Sequence, residues 1–428
     1  MSRPLARRPY YGWVLVATLG VTETTSWGVL YYAFTVFLDP MRESFHWSRA
    51  TMTGAFSLAL LLSGLVGVPV GRWLDRHGPR LLMTLGSCAA ALLVLAWAAV
   101  GNLLAFYLVW AAIGVVMAAV LYEPAFVIVA TWFRRRRGRA LTLLTFMAGF
   151  ASVIYIPLAG LLVVRQGWRG ALVTLAIALA AGTIPLHALV LRRRPQDLGL
   201  LPDGAAPSEG AGDADGSLER SLPVRTALHG AAFWWLMGAF FLNTLGVSAL
   251  FVHLVPYLTD HGYGKEFAAN VTGLVGVMAL PGRLVLTPLG DRLPRAWVAC
   301  AIFLLQAFAL LLLLLVQSGA GVIGFVVLFG AGFGAVTPAR AALVAEFYGP
   351  DSYGSISGVL AFFLTGARAI APVGAGILYD TTGSYTALLW LLTAASTAAA
   401  VAVLIAGSRE QGTGDRRLQV TGDRLQGA

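Results

Sequence analysis

Residues 51–100 read TMTGAFSLALLLSGLVGVPVGRWLDRHGPRLLMTLGSCAAALLVLAWAAV: two apolar runs of about twenty residues separated by the polar segment 71–80, GRWLDRHGPR. A helix rises about 1.5 Å per residue and a bilayer core is about 30 Å thick, so roughly twenty apolar residues cross it once. In lipid the backbone must satisfy its own hydrogen bonds, which makes both runs helical. Asp75 and the flanking arginines cannot lie in hydrocarbon. The stretch therefore predicts two membrane helices joined by a short loop at one surface.

Carried outward, the same test predicts twelve spans, at 11–38, 50–71, 80–100, 103–132, 139–164, 169–191, 231–258, 267–289, 296–317, 320–346, 354–378 and 384–407. The composition agrees. Of 428 residues 58% are hydrophobic and 12% charged, with a mean hydropathy of +0.77, a balance that excludes a water-soluble domain. The net charge of +10 does not mark a nucleic-acid binder, because the basic residues sit in short segments between apolar runs rather than on one soluble face. Cys88 and Cys300 lie within apolar runs, at no framework or metal-ligand spacing. Arg3, Arg7 and Arg8 precede a first run too long for a signal-peptide core, which is read as a retained anchor.

Placing the N-terminus inside puts 22 of the 30 Lys and Arg residues on the inner side, 5 outside and 3 within spans. By the positive-inside rule both termini are then cytoplasmic, in a multi-pass protein of a bacterial inner membrane. The runs 134–137 and 192–194 belong to this inner set and are read as topology determinants. Residues 192–230 form the one long polar segment, rich in Gly, Pro, Asp and Ser, and are read as a linker rather than a domain. The expected organisation is a bundle at 1–194, a cytoplasmic linker at 195–229, a second bundle at 230–408 and a cytoplasmic tail at 409–428.

The two bundles repeat. Asp75-Arg76 recurs as Asp291-Arg292 and Gly167-x-x-x-Ala171-Leu172 as Gly383-x-x-x-Ala387-Leu388, all at an offset of 216, while Pro157 matches Pro372 at 215. Landmarks sharing one offset across six spans imply a duplicated unit. Parallel six-helix repeats of this kind are the architecture of the major facilitator superfamily. The fold class is thus an all-α membrane protein of twelve helices in two pseudo-symmetric six-helix bundles.

GRWLDRHGPR also resembles the superfamily's G-x-L-A-D-R-x-G-R-K signature: Gly71, Asp75, Arg76, Gly78 and Arg80 match, while Trp73, Leu74 and Pro79 depart. Asp75 and Arg76, with Asp291 and Arg292, are the candidate conformational latch, forming contacts in one state that break in the other. PYYGWVLV, WFRRRRGRALTLL, PLAGLLVVRQGWRGAL, RRPQDLGLLPDG and GARAIAPVGAGILYD resemble the bacterial monocarboxylate-transporter and oxalate:formate antiporter branch. The resemblance covers nearly the whole chain apart from the linker interior and the tail beyond Gly407, and implies a secondary transporter of small organic anions.

Ionisable residues inside spans are few and costly, so each is a functional candidate. Glu23, Glu123, Arg283 and Arg368 lie too deep to snorkel; Arg283, eight residues before Asp291, is about 12 Å from the end of its helix. Arg340 is shallower and reads as a gate or packing residue. The resemblance implies that Arg283 on span eight binds the substrate carboxylate, and it places Arg368 where oxalate carriers have a second cation. Structural ion pairing is the alternative for both. The branch's aspartate four residues before the arginine is here Ala279, and the only lysine is the loop residue Lys265. Proton coupling therefore falls to Glu123 and Glu23, unless they merely pair with an arginine. Tyr31, Tyr122 and Tyr155 offer hydroxyls to a carboxylate, or simply pack. Gly67-x-x-x-Gly71, Gly330-x-x-x-Gly334 and Gly354-x-x-x-Gly358 read as packing seams, and His253 as a hydrogen-bonded wall residue.

The function expected is alternating-access transport of a mono- or dicarboxylate, driven by protons or anion exchange, by a chain functional as a monomer. The alternatives are a proton-driven exporter of amphipathic compounds, and a non-transporting sensor of the same fold. With no nucleotide loop, metal cluster or nucleophile–base pair, neither an enzyme nor a cofactor is expected.

Overall fold

The computed structural model describes residues 10–204, 221–316 and 318–426. Arg3, Arg7, Arg8 and the linker interior 205–220 lie outside them. No strand occurs among the described residues, and ten helical stretches are long and apolar enough to cross a membrane. The longest, Arg137–Val190, has 54 residues and leaves helical geometry at Gly167 (φ 67°, ψ 168°), so it makes two crossings. A further crossing comes from Tyr11–Trp27 and Phe34–Phe45, joined by the π-turn Gly28–Tyr32. Together these give the twelve crossings expected. The first continues to Phe45 rather than stopping at 38, where left-handed His46 (φ 56°) ends it.

The helical path is interrupted at three places in the first half. Besides the π-turn, Leu121 adopts an extended conformation (φ −97°, ψ −164°) between Leu103–Val120 and Tyr122–Trp132, and Gly149-Phe150 separates Arg137–Ala148 from the helix that follows. Pro124, on the far side of the Leu121 break, has no N–H to bond back across it. In a membrane, such breaks persist where protein rather than lipid surrounds them.

Two compact units can be distinguished: residues 1–221 with 350–358, and 222–349 with 359–428. In the first, Phe34, Phe37, Trp97, Phe106 and Trp110 form an edge-to-face aromatic core, Phe37 and Trp97 having centroids 5.1 Å apart. In the second, Leu254, Val271, Phe325, Phe329 and Leu392 fill the corresponding role. Large apolar residues such as Leu104, Val164 and Leu189 stay exposed, as lipid-facing positions do.

The duplication has a conformational counterpart. Gly167 and Gly383, 216 residues apart, both take positive φ (67° and 66°), each before the last span of its half. An L-residue would be strained at either site. Within the first unit, the seam glycines meet one another: a Cβ on Gly71 would collide with Gly354 O, and one on Gly358 with Gly67 O. Two of the three seams deduced from the sequence thus form one contact, between the helix Arg49–His77 and the first turns of Tyr353–Thr382.

The segment read as a linker carries short helical turns within its described residues. Pro195–Leu198 and Pro202–Gly204 are 3-10 turns, and Val224–His229 is a short helix. The cause at the front end is a set of polar contacts to the first unit, described below. The expected tail likewise continues as helix to Gln426, with no proline to stop it.

Candidate functional site

The first unit gathers most of the predicted site. Glu23 is fully buried on the helix Tyr11–Trp27. Its Oε2 accepts from Trp27 Nε1 at 3.1 Å, one helical turn on, whereas its Oε1 has no hydrogen-bond partner among the described residues. Trp27 packs against Tyr31 and Tyr122, with centroids 5.2 and 5.0 Å away, and Tyr122 stacks on Phe126. Tyr155 lies against the π-turn at Gly28 and donates its hydroxyl to Thr25 Oγ1 at 3.1 Å. Glu23, Tyr31 and Tyr122 therefore share one aromatic cluster, with Tyr155, from the helix Ala151–Val190, packed beside it against Gly28 and Thr25.

Glu123 occupies the first turn after the Leu121 break, where unsatisfied amides favour an acid. Its Oε2 accepts from Ser357 Oγ. Asp75 is tied to the same turn of chain. Its Oδ1 accepts from Gly354 N at 2.8 Å, and its Oδ2 from Ser355 N at 2.8 Å and Ser355 Oγ at 2.6 Å. An anion facing the start of a helix satisfies orphan donors and the helix dipole together. Asp75 thus grips backbone and hydroxyl groups of residues 354–355, while Arg76 is exposed.

In the second unit, Arg283 is half-buried on Lys265–Leu286 and donates through Nε to Gly334 O at 3.0 Å, among other contacts. Arg368 is more exposed, on Tyr353–Thr382. Arg340 is 8% exposed, in keeping with a packing position. Asp291 is half-buried and Arg292 exposed; nearby, Arg295 pairs with Glu346 at 3.0 Å. His253 bridges three helices, its Nδ1 lying 3.3 Å from Tyr385 Oη and its Nε2 3.2 Å from Pro372 O.

Several working residues escaped the sequence reading. Arg137 belongs to the run taken as a topology determinant, yet it is fully buried, donating to Phe133 O and Ala130 O at 3.0 and 3.1 Å. It closes the end of the helix Tyr122–Trp132. His187 did not escape it, being a weaker candidate among the ionisable residues within spans; it is buried and shares its Nδ1 with Ser87 Oγ at 2.8 Å. Tyr10 donates to Trp132 O at 2.8 Å. Outside the spans, burial foremost and the nearby Asp203 carboxylate next push the Tyr10 phenol above its ordinary range. Ser355, Ser357 and Asp203 carry no local signal, since a serine or aspartate in a polar segment looks like any other.

The family model of the Major Facilitator Superfamily matches residues 24–372. Among curated proteins, monocarboxylate transporter 13 of Bos taurus is 28% identical over 403 residues, covering 93% of this chain and 88% of its own. Monocarboxylate transporter 12-B of Danio rerio is 25% identical over 89% of this chain and 84% of its own. The uncharacterized MFS-type transporter YcxA of Bacillus subtilis (strain 168) is 25% identical over 82% and 85%. Two solved structures share the fold at 16% identity. They are FucP in the outward conformation (TM-score 0.69, covering 94% of this chain and 99% of FucP) and a bacterial homologue of ferroportin in the outward-facing state (TM-score 0.71, covering 93% and 100%). A match over most of the chain, on a fold of twelve apolar crossings, places this protein in the Major Facilitator Superfamily.

Proposed function

We propose that the chain is a secondary active transporter of a small organic anion, a mono- or dicarboxylate, working by alternating access and coupled to protons or to anion exchange. The observation that carries this reading is its near-full-length similarity to monocarboxylate transporters, together with an arginine, Arg283, inside a largely apolar span. Arginine suits a carboxylate because its planar fork donates two parallel hydrogen bonds and stays charged. Arg283 and Arg368 bind the anion, with Tyr31, Tyr122 and Tyr155 as hydrogen-bonding walls. Glu123 and Glu23 carry protons, and Asp75 with residues 354–355 acts as the latch. The protein works as a monomer in a bacterial inner membrane, with both termini cytoplasmic.

A second reading, proton-driven export of an amphipathic cation, draws on the Glu23–Trp27–Tyr31–Tyr122 cluster, since aromatic faces and carboxylates suit a cation. Thermal-shift screening of purified protein against carboxylates and lipophilic cations separates the two. Stabilisation by carboxylates, followed by their flux in proteoliposomes, is expected. Stabilisation by cations alone would move the assignment to export, and carboxylate binding without flux would make the protein a sensor.

A further inference from the structure

Residues 192–204 follow the sixth span and run across one end of the first unit. Arg193 lies over Gly78 and donates to Asp75 O at 3.4 Å. Arg194 has its N–H capped by Asp197 Oδ2 at 3.1 Å, and its guanidinium reaches Asp351 Oδ1 at 3.5 Å. The amide of Asp351 is in turn held by Ser221 Oγ at 3.0 Å. At the far end, the Asp203 carboxylate accepts from three consecutive main-chain amides, those of Arg134, Arg135 and Arg136, at 2.9, 2.7 and 3.1 Å. Asp203 does so in the left-handed region (φ 59°), a conformation that costs a non-glycine residue energy. Gly204 (φ 71°) then brings the chain onto the Tyr10 ring, which packs edge-on against Phe133, 5.6 Å away.

Three successive amides converging on one carboxylate make an anion nest, and bonds to an ionised acceptor are the strong kind. By contrast the Arg194–Asp351 pair is solvent-exposed and worth little alone. One end of the segment is therefore firmly anchored and the other makes a contact that is easily broken. That breakable contact falls on residues 350–358, whose Ser355 holds Asp75 and whose Ser357 holds Glu123.

We propose that residues 192–204 are a strap, buckled by Asp203 onto the amides of residues 134–136, which presents Arg194 to Asp351 and thereby holds the 350–358 turn against Asp75 and Glu123. The strap biases how long that turn stays docked, so the start of the linker regulates the latch. It goes beyond the transport assignment and depends on it only in taking the turn to move during a cycle.

The test uses the full-length chain with Cys88→Ser, Cys300→Ser and a reporter, Ser352→Cys, at a half-buried position of the turn. Asp203→Gly accepts the positive φ and removes only the carboxylate. Asp203→Asn also tolerates that conformation but keeps an acceptor oxygen, and it carries the test should the glycine variant misfold. Maleimide labelling of the reporter is expected to accelerate by up to about fivefold in Asp203→Gly, the most that losing an exposed ion pair corresponds to, and less in Asp203→Asn. Arg194→Gln should accelerate it at least as much as Asp203→Gly, and adding it to Asp203→Gly should bring the double variant only to the level of Arg194→Gln alone, because the buckle acts through Arg194. Unchanged labelling in both Asp203 variants would overturn the proposal. So would full additivity of Arg194→Gln, which would make the two contacts independent. Labelling needs no substrate, so a failed carboxylate assignment, seen as absent flux, leaves this result readable.

Discussion

At the scale of single residues, the assignment rests on what Arg283, Glu123 and Glu23 can and cannot do. Arg283→Lys keeps the charge and loses the fork, so substrate affinity should fall about tenfold or more with normal membrane insertion. Wild-type uptake by that variant would remove Arg283 from the binding site. The charges within spans are not duplicated: at the 216 offset Glu23 and Glu123 map onto Ala239 and Ala339, and Arg283 and Arg368 onto Gly67 and Ser152. Acids in one half and cations in the other predict a division between coupling and binding. Glu123→Gln should preserve counterflow between two loaded sides while abolishing the pH dependence of net uptake, whereas Arg283→Gln should abolish both. Proteoliposomes compare them directly, and loss of counterflow in Glu123→Gln as complete as in Arg283→Gln refutes the split. The acids and arginines were legible in the sequence because a charge inside an apolar run stands out. Ser357 was not, since its partner Glu123 lies 234 residues away.

At the scale of elements, the structure turns on breaks and close approaches rather than on ideal helices. Gly167 and Gly383 are equivalent positions with nearly equal φ, so alanine at either should destabilise the protein by a similar amount, about 1–2 kcal/mol. Thermal unfolding in detergent measures this; a large cost at one and none at the other would show that the halves do not use the turn alike. The Gly71–Gly354 contact makes a sharper case. Alanine at Gly71 must push the 353–358 turn away and lengthen the hydrogen bonds to Asp75. Gly71→Ala and Asp75→Asn should therefore shift a conformational probe such as the Ser352→Cys reporter in the same direction, with Gly71→Ala the larger. Helix existence and seam composition were readable from spacing alone. The π-turn at Gly28–Tyr32 was not, because GVLYY keeps the apolar character of uninterrupted helix, and at Leu121 the sequence offers only Pro124, which signals a kink rather than an extended residue.

At the scale of the whole molecule, the proposed orientation makes a direct prediction. Single cysteines introduced in residues 1–9, 205–220 and 411–428 should react with an impermeant reagent only after the membrane is opened. Labelling of any of them from the outside overturns the cytoplasmic assignment. The basic residues that orient the chain need not all be spare charge: Arg137 is fully buried at a helix end, and Arg193 and Arg194 hold the strap. Replacing Arg137 should thus cost stability, unlike replacing an exposed neighbour in the same run.

By itself the sequence determined the twelve crossings, the duplication and the superfamily, because a bilayer reads contiguous windows of about twenty residues and imposes length and polarity on each. Only the tertiary structure decided that Asp75 grips residues 354–355, that Ser357 donates to Glu123, and that Asp203 accepts from the amides of residues 134–136. Those pairings join residues between 67 and 280 positions apart. A carboxylate accepts from whichever donors packing delivers to it, and packing depends on every intervening helix rather than on the residues beside it in the chain.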